Sequence, residues 1–312
     1  MIKYIWTLVC WYFRHVIKGF LRWTTQMCEL QRICYVQPSG AARVFAIEGS
    51  LGRSRDAYIR TLVAYLNDIA DKRGITTKTE RKILEDAIRT VLVTKKVNPK
   101  AHPDFAKSFG KCVELIWGYR QLCVECEELR KTPYSTDNPD HEQLLLKLWN
   151  LLMPYEPLEA RVTKQWQQIG FQGDDPKTDF RGMGILGLEN LVYFAQEYPS
   201  MATHVLSHSN HPRYGYAFAI VGINLTSMAL KLLRDGSAKT HIYNSSKTLP
   251  TIRAFHQFYC YLFYEFDGFW IESKPNNMME FSSIQEKFEK SIRMALTNPS
   301  TVFRINVAVD NI

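Results

Sequence analysis

No long apolar run opens this 312-residue chain. The uncharged stretch from Tyr4 to Phe13 is ten residues, about half of what a helix needs to cross the hydrocarbon core. No small-residue cleavage site follows it, so a cleaved export signal is not expected. Long polar tracts are also missing, which argues against extended disorder. Strand-type alternation is nearly absent, and with it any sheet-based reading. No G-x-x-x-x-G-K-[ST] loop occurs, and a dinucleotide fingerprint would need strands that the pattern does not supply. Nothing local resembles a Ser or Cys nucleophile with its His and orienting partner. Zinc-finger spacing and an RNA-recognition aromatic motif are lacking, so nucleic acid is not expected as a partner.

Cysteine is sparse and odd in number. The seven residues (10, 28, 34, 112, 123, 126, 260) are scattered along a chain too long to need staples. That usage points to a reducing compartment and a cytoplasmic location. Cys123 and Cys126 have redox or zinc spacing but lie inside a helical pattern without a second pair; they read as packed thiols. His204, His208 and His211 are close in sequence, yet no acidic or cysteine ligand stands nearby at suitable spacing. No metal site is expected.

What the chain does have is apolar mass, 46% of residues with 13% aromatic, enough for a sizeable core. The net charge of +8 is unevenly placed. Residues 1–100 carry 18 Lys/Arg against 8 Asp/Glu, whereas 101–312 carry 21 against 23. The N-terminal third therefore seeks an acidic partner, such as a membrane surface. On a helical wheel Lys3, Arg14, His15, Lys18 and Arg22 fall within about 120° of one another, opposite Ile5, Tyr12, Val16, Phe20 and Trp23. Residues 1–23 thus read as a basic and aromatic amphipathic helix suited to a membrane interface, with peripheral attachment to internal membranes. The alternative is a helix packing its apolar face on its own domain.

Residues 24–54 read as an irregular linker, because "QPSGAAR" and "EGSLGRS" are rich in Gly and Ser. Helical periodicity follows. Tyr58, Leu62, Tyr65, Leu66 and Ile69 share a face, "TKTE" at 77–80 is a capping box, and 102–131 forms a long amphipathic segment. Asn138 and Pro139 open another helix with Leu144, Leu145, Leu148 and Leu151. Helices are predicted at 185–198, at 216–236 with Gly236 as its stop, and at 250–272 as a core helix. A last one, at 282–296, opens with a Ser283/Glu286 capping box. The fold class is all-α. It is organised as a helical part at 55–132, a main body at 133–300 and a tail at 301–312, forming one multi-helix domain beside its N-terminal extension.

The stretch that stands out is "FQGDDPKTDFRGMG", 171–184. A short helix, "RVTKQWQQIG", ends before it at Gly170. Asp174, Asp175, Pro176, Thr178 and Asp179 make a tight, self-bonded turn. Gly182 and Gly184 let the backbone run close to something. Arg181 is thus presented from a rigid loop, and a guanidinium held that way suits bidentate recognition of carboxylate or phosphate. Its target is either a neighbouring aspartate (Asp174, Asp175 or Asp179) or the phosphates of a nucleotide held by another protein.

The whole string resembles the signature of the ELMO domain, most closely that of the small ELMO domain-containing proteins. Trp166, Gly170-Phe171-Gln172-Gly173, Asp175-Pro176, Thr178-Asp179-Phe180-Arg181-Gly182 and Gly184 follow in order, ahead of Leu188, Leu191, Tyr193 and Phe194. "YAFAIVGINLT", "FDGFWIE" and "CELQRICY" (28–35) are similar too, so the likeness covers most of the chain, with 133–300 as the ELMO domain. The resemblance implies GTPase activation toward Arf and Arf-like small GTPases, with Arg181 as the catalytic arginine finger. Asp179 and Gln172 would orient the loop. GTP and Mg²⁺ would belong to the partner, so no cofactor is expected on this chain. Larger relatives act as adaptors beside exchange factors for Rac, which implies a non-catalytic interaction module as the alternative.

Overall fold

A computed structural model describes residue 13, residues 16–71 and residues 77–305. Among them every regular element is helical, and no strand occurs, as the near-absence of alternation required. The chain divides into two compact units, 1–118 and 119–312.

In the first unit, residues 16–25 form α1. Then follow α2 (Glu29–Val36), α3 (Ala41–Gly52), α4 (Ala57–Ala70), α5 (Thr77–Thr94) and the first part of α6 (Pro103–Lys131). Consecutive helices pack on each other from α2 to α5. The unit's core holds Leu30, Val44, Ile47, Ile59, Leu84, Val91, Phe105 and Phe109. Two helices therefore occupy what reads as an irregular linker at 24–54. Ala41, Val44 and Ile47 recur at three-residue steps and are all buried, a stripe that outweighs the flanking glycines. The start of α4 follows ordinary rules: Asp56 accepts from the Tyr58 and Ile59 N–H groups.

Lys3 and Arg14 lie outside the described residues. Of the other two basic positions of the N-terminal segment, Lys18 forms an ion pair with Glu29 and is half-buried, while Arg22 is exposed. Phe20 and Trp23 are exposed, the latter at 72%. The alternative in which these rings pack on their own unit is not what is found. No helix among the described residues is long and apolar enough to cross a membrane.

The second unit begins with the end of α6. It continues with α7 (Pro139–Leu152), α8 (Gly184–Glu197), α9 (Pro199–Ser209), α10 (Phe218–Arg234), α11 (Lys239–Ser245), α12 (Ile252–Ser273) and α13 (Phe281–Leu296). Asn138 caps α7 by accepting from Asp140 N, with Pro139 in the first turn. Helix α8 packs against α7, α9, α10 and α12 and is buried on nearly every side. Helix α12 is the aromatic core element that its composition predicts: Phe255, Phe258, Phe263 and Phe266 are fully buried. Each such ring stabilises the fold by about 1.5–3 kcal/mol relative to exposure. The Ser283/Glu286 capping box is not used. A 3-10 turn at Met278–Glu280, capped by Asn277, leads straight into α13 and places Ser283 inside the helix.

The Cys123 and Cys126 side chains are free thiols on α6. Burial pushes the Cys123 thiol up to about 11 and also pushes Cys126 well above its ordinary value, which leaves both protonated and inert at neutral pH.

Candidate functional site

The loop between α7 and α8 is built on two short 3-10 helices, Lys164–Ile169 and Pro176–Arg181. Each has its own cap. Thr163 accepts from Gln165 N, and Asp175 accepts from Lys177 N. The first turn stops at Gly170, whose φ of 81° lies in the left-handed region. A Cβ there would meet Phe218 N at 2.2 Å, so the loop can rest against the start of α10 only with glycine at that position. The Gly170 carbonyl accepts from Ile220 N at 3.3 Å and ties the two elements together.

Aromatic packing fixes the rest. Trp149 of α7 meets Trp166 edge-on at 5.4 Å between centroids, and Trp166 meets Phe171 at 5.8 Å. Phe171 in turn meets Phe180 at 5.6 Å, and Phe180 lies against Tyr134 at 5.3 Å. The Trp166 indole N–H donates to Arg161 O at 2.9 Å. Trp166, Phe171, Pro176 and Phe180 are all buried. The chain thus folds the loop around a row of rings and leaves its polar side outward.

Polar contacts then close the loop. Thr163 N donates to Asp174 O, and Gln167 Nε2 donates to Asp174 Oδ1 at 3.2 Å. Asp179 Oδ2 accepts from the Gln172 N–H at 3.0 Å, a bond that spans the loop. Burial pushes the Asp179 carboxyl above its ordinary value, while that hydrogen bond and the nearby Arg181 charge oppose the shift. Asp175 takes a different cation. Arg161 Nη1 donates to Asp175 Oδ1 at 3.0 Å, Arg161 Nε donates to Glu142 Oε2, and Arg161 Nη2 donates to Tyr134 Oη at 3.3 Å. Periodicity and motif reading pass over Arg161, because two of its partners stand 19 and 27 residues upstream.

Arg181 ends the second 3-10 turn and is exposed. Its Nε donates to Thr178 O at 3.1 Å, which holds the side chain against its own turn. No ion pair or other hydrogen bond engages its guanidinium among the described residues. The internal pairing with Asp174, Asp175 or Asp179 is therefore not made. With Arg130, Lys131 and Lys177 it lines a cavity of about 290 Å³ that also touches Tyr134, Thr178 and Phe180 and has no carboxylate in its wall.

The three nearby glycines divide by role. Gly184 has φ 54°, and a Cβ would meet Arg130 O at 2.3 Å and Thr132 O at 2.4 Å, so it exists for packing. Gly173 and Gly182 face open space. Gly182 has φ −80°, which any residue adopts, so the fold does not require glycine beside Arg181.

A second polar group lies on α9 and α12. His204, His208 and Asp267 bring one ligand atom each within 4.8 Å of one another, although Asp267 is 59 residues from His208. Buried Asp267 is held by His208 Nδ1 at 2.7 Å and by the Tyr216 hydroxyl at 2.6 Å. His211 does not join them. Its Nδ1 accepts from the N–H groups of Arg213 and Tyr214.

The sequence model of the ELMO/CED-12 family matches residues 124–285, a stretch that contains this aromatic-pinned, arginine-bearing loop. The chain belongs to that family. It is 48% identical over 284 residues to ELMO domain-containing protein 2 of Bos taurus, covering 90% of this chain and 91% of that one. It is 46% identical to the Homo sapiens protein of the same name, with 95% and 96% covered. ELMO domain-containing protein 1 of Mus musculus is 45% identical, with 93% and 92% covered.

Proposed function

We propose that this chain is a GTPase-activating protein for small GTPases of the Arf and Arf-like class, acting in trans through Arg181. The observation that carries the proposal is the state of that side chain: exposed, braced by one backbone hydrogen bond, and otherwise unpaired at the rim of a basic cavity. Hydrolysis of GTP is largely a matter of positioning and charge stabilisation. An arginine supplied in trans typically contributes about 10³–10⁵ in rate. The partner brings GTP and Mg²⁺, and this chain brings a planar donor on a pinned loop. Gly182 leaves room beside it for the partner's surface. Lys131 and Lys177 add positive potential facing an acidic phosphate site.

Single-turnover GTP hydrolysis by purified Arf-like GTPases tests this reading. Wild type accelerates hydrolysis, and Arg181→Ala lowers the acceleration by at least about 10²-fold, the lower part of the range for such fingers. The melting temperature holds, because the side chain is exposed and makes one internal bond. Arg181→Lys does not restore the rate, since an ammonium cannot reproduce the bidentate fork. Undiminished acceleration by Arg181→Ala would hand the loop to the alternative reading, a docking module without catalysis. The N-terminal segment serves recruitment to a membrane, with Phe20 and Trp23 as its exposed apolar contacts. Vesicle co-sedimentation with and without residues 1–23 decides that part, equal binding being the result against it.

A further inference from the structure

The first unit holds a larger cavity than the one at Arg181, about 390 Å³, and it lies entirely within residues 18–95. Its wall is drawn from α1, α2, the α3–α4 junction and the end of α5. Six cations line it, Lys18, Arg22, Arg32, Arg53, Arg55 and Lys95, against two carboxylates, Glu29 and Asp56. Both carboxylates are already engaged. Glu29 pairs with Lys18 and accepts from the Ser50 hydroxyl at 2.8 Å. Asp56 caps α4 and lies 4.0 Å from Lys95 Nζ. The positive charge left over resides on the arginines.

Those arginines are not spent on the fold. Arg32 donates one Nη to Met27 O at 2.7 Å, which orients it. The guanidinium groups of Arg22, Arg53 and Arg55 make no hydrogen bond or ion pair among the described residues, and all three side chains are exposed. Arg53 lies over Gly49, where a Cβ would come within 2.7 Å of its Nη2. A glycine in mid-helix therefore leaves space for a guanidinium at the cavity wall, although it lowers helix propensity by about 1 kcal/mol relative to alanine. A concave site lined by one sign of charge focuses the field and concentrates a counter-ion of opposite sign. Guanidinium forks match phosphate oxygens bidentately.

The geometry points to a binding site in this cavity for a soluble, multiply phosphorylated small anion, of the inositol polyphosphate or polyphosphate class. The volume falls in the range of small-molecule sites, about 300–1,000 Å³. A phosphorylated lipid headgroup offers the same chemistry, but α1 argues for the soluble source. At about 100° per residue Lys18 and Arg22 lie on one side of that helix, and the exposed Val16, Phe20 and Trp23 lie across it. A bilayer that took up those apolar side chains would sit on the far side of α1 from the cavity.

Isothermal titration of the full chain with myo-inositol hexakisphosphate tests the assignment. Saturable binding near one equivalent is expected, weakening as NaCl is raised. The triple variant Arg22→Gln/Arg53→Gln/Arg55→Gln loses at least about tenfold in affinity. A charge-matched control, Arg81→Gln/Arg89→Gln/Lys100→Gln, alters exposed positions that do not line the cavity and binds like wild type. Gly49→Ala leaves the charge unchanged and pushes only the far end of Arg53. It therefore weakens binding by about threefold while keeping the fold, as expected for one displaced charge-assisted contact. Equal affinity of the triple variant and the control overturns the site. Tighter binding to phosphatidylcholine vesicles carrying a bisphosphorylated inositol lipid than to the soluble anion, lost in the same triple variant, overturns the soluble source. None of these readouts uses GTP hydrolysis, so they stand or fall apart from Arg181.

Discussion

Arg161 and Asp175 form an ion pair at 3.0 Å between Nη1 and Oδ1, and so Asp175, one of the three aspartates within reach of Arg181 in the sequence, is taken by another arginine. The consequence is a division of labour between two arginines. One binds the loop to α7 and to Tyr134, and the other is left facing outward.

Arg161→Ala is the variant that tests the brace. It removes bonds to Asp175, Glu142 and Tyr134 and leaves two carboxylates partly buried without their cation. Bonds to charged groups contribute about 1.5–3 kcal/mol each, and the partial exposure of all three groups discounts that. A loss of about 1–3 kcal/mol in urea denaturation is expected. GTPase acceleration falls as well, because Arg181 loses its frame. Arg161→Lys recovers little of either, since a single ammonium cannot serve two carboxylates and a hydroxyl from one plane. Wild-type stability in Arg161→Ala would show that the aromatic row alone holds the loop.

Gly184 and Gly182 separate folding from recognition. Gly184→Ala drives a Cβ into the carbonyls of Arg130 and Thr132 from a left-handed backbone, and a loss of about 2–4 kcal/mol follows. Gly182→Ala faces open space at φ −80° and changes stability by no more than about 1 kcal/mol, toward greater stability if anything. Gly182→Leu therefore folds, yet it blocks the approach to Arg181 and lowers GTPase acceleration. Full acceleration by Gly182→Leu would mean that no partner surface comes close there.

Much of this was open to reading from the chain because the signals were local. Asn138-Pro139 starts α7 as its capping chemistry dictates, and Gly236, with φ 84°, follows α10 as a stop. Gly170 and the Asp175-Pro176 turn appear where the sequence puts them. Helix α3 escapes because glycines and serines mask the Ala41, Val44 and Ile47 stripe. Contacts at long range escape for a different reason: nothing in Arg161 announces Glu142, and nothing in His208 announces Asp267. The sequence likewise names Arg181 as special without showing whether an aspartate claims it. The fold answers that: Arg161 takes Asp175, Gln167 and the Gln172 N–H take Asp174 and Asp179, and Arg181 bonds only to Thr178 O among the described residues.

Acid should weaken the second unit through His241. This ring is buried on α11, stacked 5.2 Å from Phe258 and 5.7 Å from Phe303, and its Nδ1 accepts from Phe303 N at 3.1 Å. Burial, with Arg304 adding to it, pushes the imidazole down from 6.5 to about 4. A folded value below the unfolded one means that the unfolded chain binds more protons between them. Stability is thus full above about pH 6.5 and declines as pH falls toward 4. The displacement corresponds to roughly 3 kcal/mol at its limit. Protonation also removes the acceptor for Phe303 N, so the 301–305 segment should detach first. Urea denaturation at pH 7.0 and 4.5 measures the effect, and His241→Phe should flatten the difference between the two pH values. His256, which burial also pushes down to about 4, keeps part of the slope in that variant. A slope unchanged by His241→Phe would remove His241 from the acid response.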